Sequence, residues 1–180
     1  MNANHREDRV WLWMFLAAMA LLGATRWHFS HQSGGFTPVA SRKTAPDVVL
    51  PQLGGGQWRL ADHRGQVVLV NYWATWCGPC QEELPGLMQV AREAGPKGLA
   101  VVGVSLDSGP DTRATVQQFV AANRVPYPVA FPDATWSGHA GVSIPTTVLL
   151  DRQGRVVKTY VGAVDHDDFA KDVAAVLAES

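Results

Sequence analysis

Residues 67–85 of the chain read VVLVNYWATWCGPCQEELP, and they predict the core of its fold. Its first part, Val67 to Trp73, is an almost unbroken apolar run rich in β-branched and aromatic residues. That pattern is typical of a strand buried on both faces, which we place at the centre of a sheet. From about Pro79 to Ala94 apolar residues recur at helical spacing, and Gly95-Pro96 follow as a stop signal. The stretch therefore predicts a central strand followed by a helix, with a CxxC motif at the helix start.

The CxxC motif is formed by Cys77 and Cys80, the only two cysteines of the 180-residue chain. At a helix start, unpaired N–H groups and the positive end of the helix dipole favour an anion, so we expect Cys77 to be the attacking thiolate. The spacing stacks Cys80 one turn above Cys77, close enough to resolve a mixed disulfide. Gly78 and Pro79 tune the potential of the pair, and Pro79 suits the first helical turn.

Three other interpretations of this cysteine pair stay open on the residues alone. A structural disulfide closing so short a ring would stabilise the fold by roughly 2 kcal/mol, less than a longer loop would. A half zinc site would need two further ligands. The third interpretation is a domain that has lost its activity.

The rest of the folded part continues the alternation of strands and helices. Further strands are expected at Asp47 to Leu50, Gln57 to Leu60, Leu99 to Leu106, Thr146 to Asp151 and Val156 to Val161, and further helices at Asp111 to Asn123 and Asp165 to Ala178. The first two strands flank a run of three glycines and predict a hairpin. The predicted class is α/β, with a central mixed β-sheet flanked by helices and an N-terminal β-hairpin.

The N-terminus carries a separate apolar segment. The run from Val10 to Ala24 has no charge, but as a helix it falls short of a hydrocarbon core roughly 30 Å thick. A cleaved signal peptide and a retained anchor extending to Phe29 both fit, and the flanking tryptophans favour the anchor. We therefore divide the chain into a single membrane segment at 1–29, a linker rich in Gly, Ser and Pro at 30–45, and a folded domain at 46–180.

The charge balance excludes one class of partner. The chain has 15 Lys and Arg against 16 Asp and Glu, and its formal net charge is −1. It offers no basic footprint that could neutralise a phosphate backbone. Nucleic acid is therefore not an expected partner.

Residues 67–85 resemble the membrane-anchored, extracytoplasmic thioredoxin-like proteins of the TlpA, ResA and CcmG type, within the thioredoxin superfamily. The resemblance extends from about Ala45 to the C-terminus and includes GVSIPTT at 141–147. It implies a thioredoxin-like fold and a thiol-disulfide oxidoreductase. It also implies a location on the periplasmic or extracytoplasmic face of the bacterial inner membrane.

The resemblance further implies which residues meet a client protein. It places a cis peptide bond before Pro145, beside the dithiol, where an ordinary trans proline is the alternative. The backbone of Ile144 would pair with an extended client segment by strand addition. From the residues themselves, we expect Trp76 to form a partly exposed platform and Trp73 to fill the core, with Gly78 and Pro79 part of the binding surface.

One acidic residue is assigned to catalysis on the same ground. In cytoplasmic thioredoxins a buried Asp lies six residues before the first cysteine, and this chain has Asn71 there. The resembled group instead places a Glu three residues after the second cysteine, here Glu83, which implies that Glu83 modulates the proton transfers of the thiols. A solvated helix carboxylate is the alternative for Glu83 and the expectation for Glu82. Asp107 follows an apolar segment; a loop-forming residue is the expectation there, and a residue that lines the site is the alternative.

The implied activity is reduction of client disulfides, with apocytochromes c as one class of client. Electrons would come from a membrane thiol donor of the DsbD or CcdA type. We expect no cofactor beyond the Cys77–Cys80 disulfide and no metal. A disulfide oxidase or isomerase on the same fold, a peroxidase, and a copper- or client-binding module without redox turnover stay open as alternatives.

Overall fold

The strand predicted at the sheet centre is the middle strand of a five-stranded mixed sheet in the computed structural model, which describes residues 35–132 and 142–179. The elements in chain order are β1 (Val49–Pro51), β2 (Gln57–Arg59), β3 (Val67–Trp73), α1 (Gly78–Ala94), β4 (Leu99–Ser105), α2 (Thr112–Asn123), β5 (Val129–Ala130), β6 (Thr146–Leu150), β7 (Val156–Val161) and α3 (His166–Leu177). The strand order is β5-β4-β3-β6-β7. Strand β3 runs parallel to β4 and antiparallel to β6, so the predicted mixed α/β sheet is confirmed.

Both faces of β3 are buried, which explains why its sequence is continuously apolar. Val67 and Leu69 pack with residues of α1 and α3 in one core cluster. Val68 and Val70 face the opposite side of the sheet. That side is covered by β1 and β2, which pair antiparallel and contribute the buried side chains of Leu50 and Trp58.

The topology brings two chain segments to one edge of the sheet. Helix α1 follows the carboxyl end of β3 after a short loop. Strand β6 is antiparallel to β3, with Thr146 opposite Tyr72. The start of β6, directly after Pro145, therefore lies beside the end of β3 and the start of α1.

Part of the predicted linker is held against the folded domain. The Thr37 N–H donates to the Val157 carbonyl at 2.8 Å, and the Ala45 N–H donates to the Gly154 carbonyl at 2.9 Å. Between them the Arg42 side chain is buried and forms an ion pair with buried Asp151 at 3.2 Å. The described fold therefore includes residues that composition alone assigned to a linker.

The predicted membrane segment at 1–29 lies outside the described residues. Within residues 35–132 and 142–179, no helix has the length and apolar character needed to cross a bilayer.

Candidate active site

The two cysteines form a disulfide at the start of α1, with a Cα–Cα distance of 5.3 Å. Cys77 is the N-cap residue of the helix, and its Sγ accepts a hydrogen bond from the Cys80 N–H at 3.3 Å. An N-cap side chain satisfies one of the unpaired N–H groups in this way. After reduction, the same N–H and the positive end of the helix dipole would stabilise the Cys77 thiolate. Pro79 lies in the first turn, where its missing N–H removes no helical hydrogen bond.

The surroundings of the disulfide divide into a buried side and an exposed side. The side chains of Cys77 and Cys80 are nearly buried and pack with Trp73 in one cluster. Trp76, by contrast, is 69% exposed, and its neighbours Gly78 and Pro79 are exposed as well. The predicted difference between a core Trp73 and an exposed Trp76 is therefore confirmed. Trp76, Gly78 and Pro79 thus form an exposed rim beside Cys77.

The segment before β6 completes that rim. The Ile144–Pro145 peptide bond is cis, as the sequence predicts. Ile144 is partly buried and packs against the cluster that holds both cysteines, so the structure brings this residue and the dithiol together. The Pro145 carbonyl accepts the Gly162 N–H at 2.8 Å. Among the described residues, no hydrogen bond engages the backbone N–H or carbonyl of Ile144.

Glu83 lies on the buried face of α1 together with Cys80, one turn further along. It is 4% exposed, so the alternative of a solvated carboxylate is wrong for Glu83, whereas Glu82 is exposed as expected. Burial raises the pKa of Glu83 to about 7, although hydrogen bonds from Asn71 and Val164 oppose that shift. A carboxyl with this pKa can take up or release a proton near neutral pH.

Two donors hold the Glu83 carboxylate. The Asn71 side-chain amide donates to Oε1 at 2.7 Å, and the Val164 N–H donates to Oε2 at 3.2 Å. The second N–H of the Asn71 amide donates to the Thr147 hydroxyl at 2.9 Å, so both amide protons are used. Asn71 and Glu83 stand out in the sequence, but their contact is not predictable from it, and neither are the hydrogen bonds to Thr147 and Val164. One signal was present, because Asn71 is the only polar residue in the apolar run of β3.

Comparison with known proteins identifies the family. Residues 42–162 match the AhpC/TSA family. The chain belongs to this family. It is 33% identical over 156 residues to the thioredoxin-like protein YneN of Bacillus subtilis, covering 86% of this chain and 91% of that protein. It is 30% identical over 142 residues to the thiol-disulfide oxidoreductase ResA of Geobacillus thermodenitrificans, covering 78% and 80%.

Similarity to a solved structure identifies the fold. A secreted thiol-disulfide isomerase from Corynebacterium glutamicum superimposes with a TM-score of 0.73 at 30% identity, covering 83% of this chain and 94% of that one. The fold is therefore thioredoxin-like. With its CxxC pair and these relatives, this member of the AhpC/TSA family is a thiol-disulfide oxidoreductase of the thioredoxin superfamily.

Proposed function

We propose that this oxidoreductase is a reductase of client protein disulfides. The direction of electron transfer is inferred from the buried Glu83 carboxyl, which lies one helical turn from Cys80 on the same face of α1. A carboxylate close to a dithiol disfavours the thiolates of the reduced form by like-charge repulsion. A less stable reduced form means a lower reduction potential, and a couple of low potential donates electrons.

The proposed reaction begins with the reduced dithiol. The Cys77 thiolate attacks one sulfur of a client disulfide, a bond forms between Cys77 and the client, and the other client sulfur leaves as a thiolate. Cys80 passes its proton to the Glu83 carboxylate and attacks the Cys77 Sγ, which breaks the bond to the client and releases the second client thiolate. Two electrons have passed to the client, and the Cys77–Cys80 disulfide remains.

Client binding in this proposal uses the exposed rim around Cys77. The backbone groups of Ile144, which no other described residue engages in a hydrogen bond, pair with an extended client segment, and Trp76 packs over it beside Gly78 and Pro79. Main-chain pairing reads little of the client sequence, so affinity is broad and modest. Oxidised CxxCH segments of apocytochromes c are one class of client that fits such a site.

The cellular setting is proposed from the sequence. The segment at 1–29 anchors the protein in the bacterial inner membrane and leaves the domain on the periplasmic or extracytoplasmic face. A membrane thiol donor of the DsbD or CcdA type then reduces the Cys77–Cys80 disulfide and closes the cycle. A cleaved signal peptide would release the domain instead.

The decisive experiment is the reduction potential of the cysteine pair. The full-length protein in non-ionic detergent is equilibrated with glutathione or dithiothreitol buffers, and free thiols are labelled; the Cys80→Ser variant is the control without a couple. A reversible two-electron couple near or below roughly −270 mV supports the reductase, whereas one near roughly −180 mV indicates an isomerase and one near roughly −120 mV an oxidase. An isomerase is the second candidate function, since the similar protein from C. glutamicum is a secreted thiol-disulfide isomerase.

The same samples test the remaining alternatives. Absence of any reversible couple would favour a binding module that holds copper or a client without turnover. Consumption of peroxide with a thiol reductant would favour a peroxidase. We expect neither outcome, and we expect the reduced protein to open the disulfide of an oxidised CxxCH peptide stoichiometrically.

A further inference from the structure

An aspartate outside the CxxC motif holds the loop that leads into it. Asp107 lies two residues after the end of β4, and its carboxylate faces the loop between β3 and α1. Its Oδ2 accepts the Thr75 N–H at 3.0 Å, and the Thr75 hydroxyl donates to Oδ1. The Ser105 hydroxyl also donates to Oδ2, at 2.8 Å. One carboxylate therefore collects three donors, two of them from the residue that lies two positions before Cys77.

The carbonyl group of Thr75 is held by a hydrogen bond as well. The Gln81 side-chain amide, from the first turns of α1, donates to the Thr75 carbonyl at 2.7 Å. The Cys77 N–H donates to the Ala74 carbonyl at 3.2 Å, which closes the turn. Asp107 and Gln81 thus hold Thr75 from both sides, and none of these contacts involves a sulfur atom.

We propose that Asp107 is a positioning residue for the thiol chemistry, a statement that rests on the proposed function and adds to it. By fixing Thr75, it holds Cys77 in the N-cap conformation, where Sγ faces the Cys80 N–H. A carboxylate suits this place because it is an acceptor only and can take several donors at once. Without it, the Thr75 N–H would lose its partner and the turn would have alternative conformations of similar energy.

Loss of the Asp107 contacts should lower the reactivity of Cys77. Thiolate stabilisation at a helix start depends on the alignment of the sulfur with the N-terminal N–H groups. If the turn relaxes, that alignment is lost for part of the time, and a larger fraction of Cys77 is protonated at neutral pH. We expect Asp107→Ala to alkylate about tenfold more slowly at pH 7 than Asp107→Asn, with a pH profile about one unit higher, since one pKa unit is a factor of ten. Both variants lose the carboxylate charge, whose removal alone would favour the thiolate, so their difference isolates the lost acceptor.

The test is iodoacetamide alkylation of Cys77 as a function of pH, in the full-length protein in detergent and in a Cys80→Ser background. Asp107→Asn keeps a carbonyl acceptor for Thr75 and is therefore the reference for the alanine variant. The matched control is Asp111→Ala, because Asp111 lies in the same connection to α2, is exposed and makes no side-chain cap hydrogen bond. It should leave the profile unchanged.

Several outcomes would overturn the proposal. An Asp107→Ala profile that superimposes on the Asp107→Asn profile would do so. If Asp107→Ala does not fold, Thr75→Val decides instead: it removes the hydroxyl donor, and an unshifted profile would contradict the assigned role. Alkylation does not depend on the direction of electron transfer, so a potential outside the reductase range would overturn the proposed function and leave this assignment intact.

Discussion

The buried carboxyl of Glu83 should make the protein less stable as the pH rises through neutrality. Its pKa is raised from 4.5 to about 7 in the folded protein by burial. Below pH 4.5 the group is protonated in both the folded and the unfolded states, and it has no effect on stability. Between 4.5 and about 7 only the unfolded chain releases the proton, which favours unfolding. Above about 7 the destabilisation is complete.

The magnitude follows from the size of the shift, because each pKa unit corresponds to about 1.36 kcal/mol. For a pKa that moves from 4.5 to about 7, the destabilisation is about 1 kcal/mol at pH 5 and about 3 kcal/mol at pH 8. The side chain is 4% exposed, so screening by solvent takes little from this difference. Glu83→Gln removes the titration. The free energy of unfolding of the variant, relative to that of the wild type, should therefore rise by about 2.5 kcal/mol between pH 5 and pH 8.

The assay is urea unfolding of the oxidised full-length protein and its Glu83→Gln variant at both pH values, with the difference between them compared across pH. The difference cancels every other titrating group and any fixed penalty from repacking the amide against the Val164 N–H. Glu82→Gln, an exposed neighbour on the same helix, is the control and should show no pH-dependent difference. If the effect of Glu83→Gln is the same at pH 5 and pH 8 within about 0.5 kcal/mol, the carboxyl is not the titrating group described here.

Two further predictions concern the scaffold, and both are read from urea unfolding. Arg42→Ala should lower the free energy of unfolding by about 3 kcal/mol, because buried Asp151 loses one of its two arginine partners. The other partner, Arg155, remains at 2.8 Å. The control is exposed Arg59→Ala, which should change the free energy of unfolding by less than about 0.5 kcal/mol. Gly103→Ala should cost about 1–3 kcal/mol, because the added Cβ would lie 2.8 Å from the Trp73 Nε1; equal stability of the variant and the wild type would mean that Trp73 can move aside.

The sequence predicts well those elements that have a clear hydrophobic periodicity and clear start and stop residues. Strand β3 and helix α1 lie where the residue pattern places them, and α1 begins at Gly78, one residue before the predicted start. Strand β5 was missed, since it has only two residues and exists through its pairing with β4. A strand of that length has no periodicity to detect. It is determined by a neighbour that is distant in sequence.

The same distinction between local and distant contacts applies to the active site. The motif fixes the helix start and the spacing of the two cysteines, both of which are local properties. Glu83 and Asp151, by contrast, each have a partner that is distant in sequence. Arg42 pairs with Asp151 across 109 positions of sequence, and a Gly-, Ser- and Pro-rich composition gave no reason to expect a buried ion pair there. Such contacts depend on strand register and loop path, which a single sequence does not specify.

The contact between Asn71 and Glu83 explains why this chain carries an amide in the central strand. The two side chains meet at 2.7 Å in a buried place. Two carboxylates at that distance would titrate as a coupled pair and share a proton over a wide pH range. An amide at position 71 instead supplies a donor in every protonation state of Glu83, with its second proton held by Thr147. The strand therefore contributes a fixed hydrogen bond, and the helix contributes the carboxyl that exchanges a proton with Cys80 in the mechanism we propose.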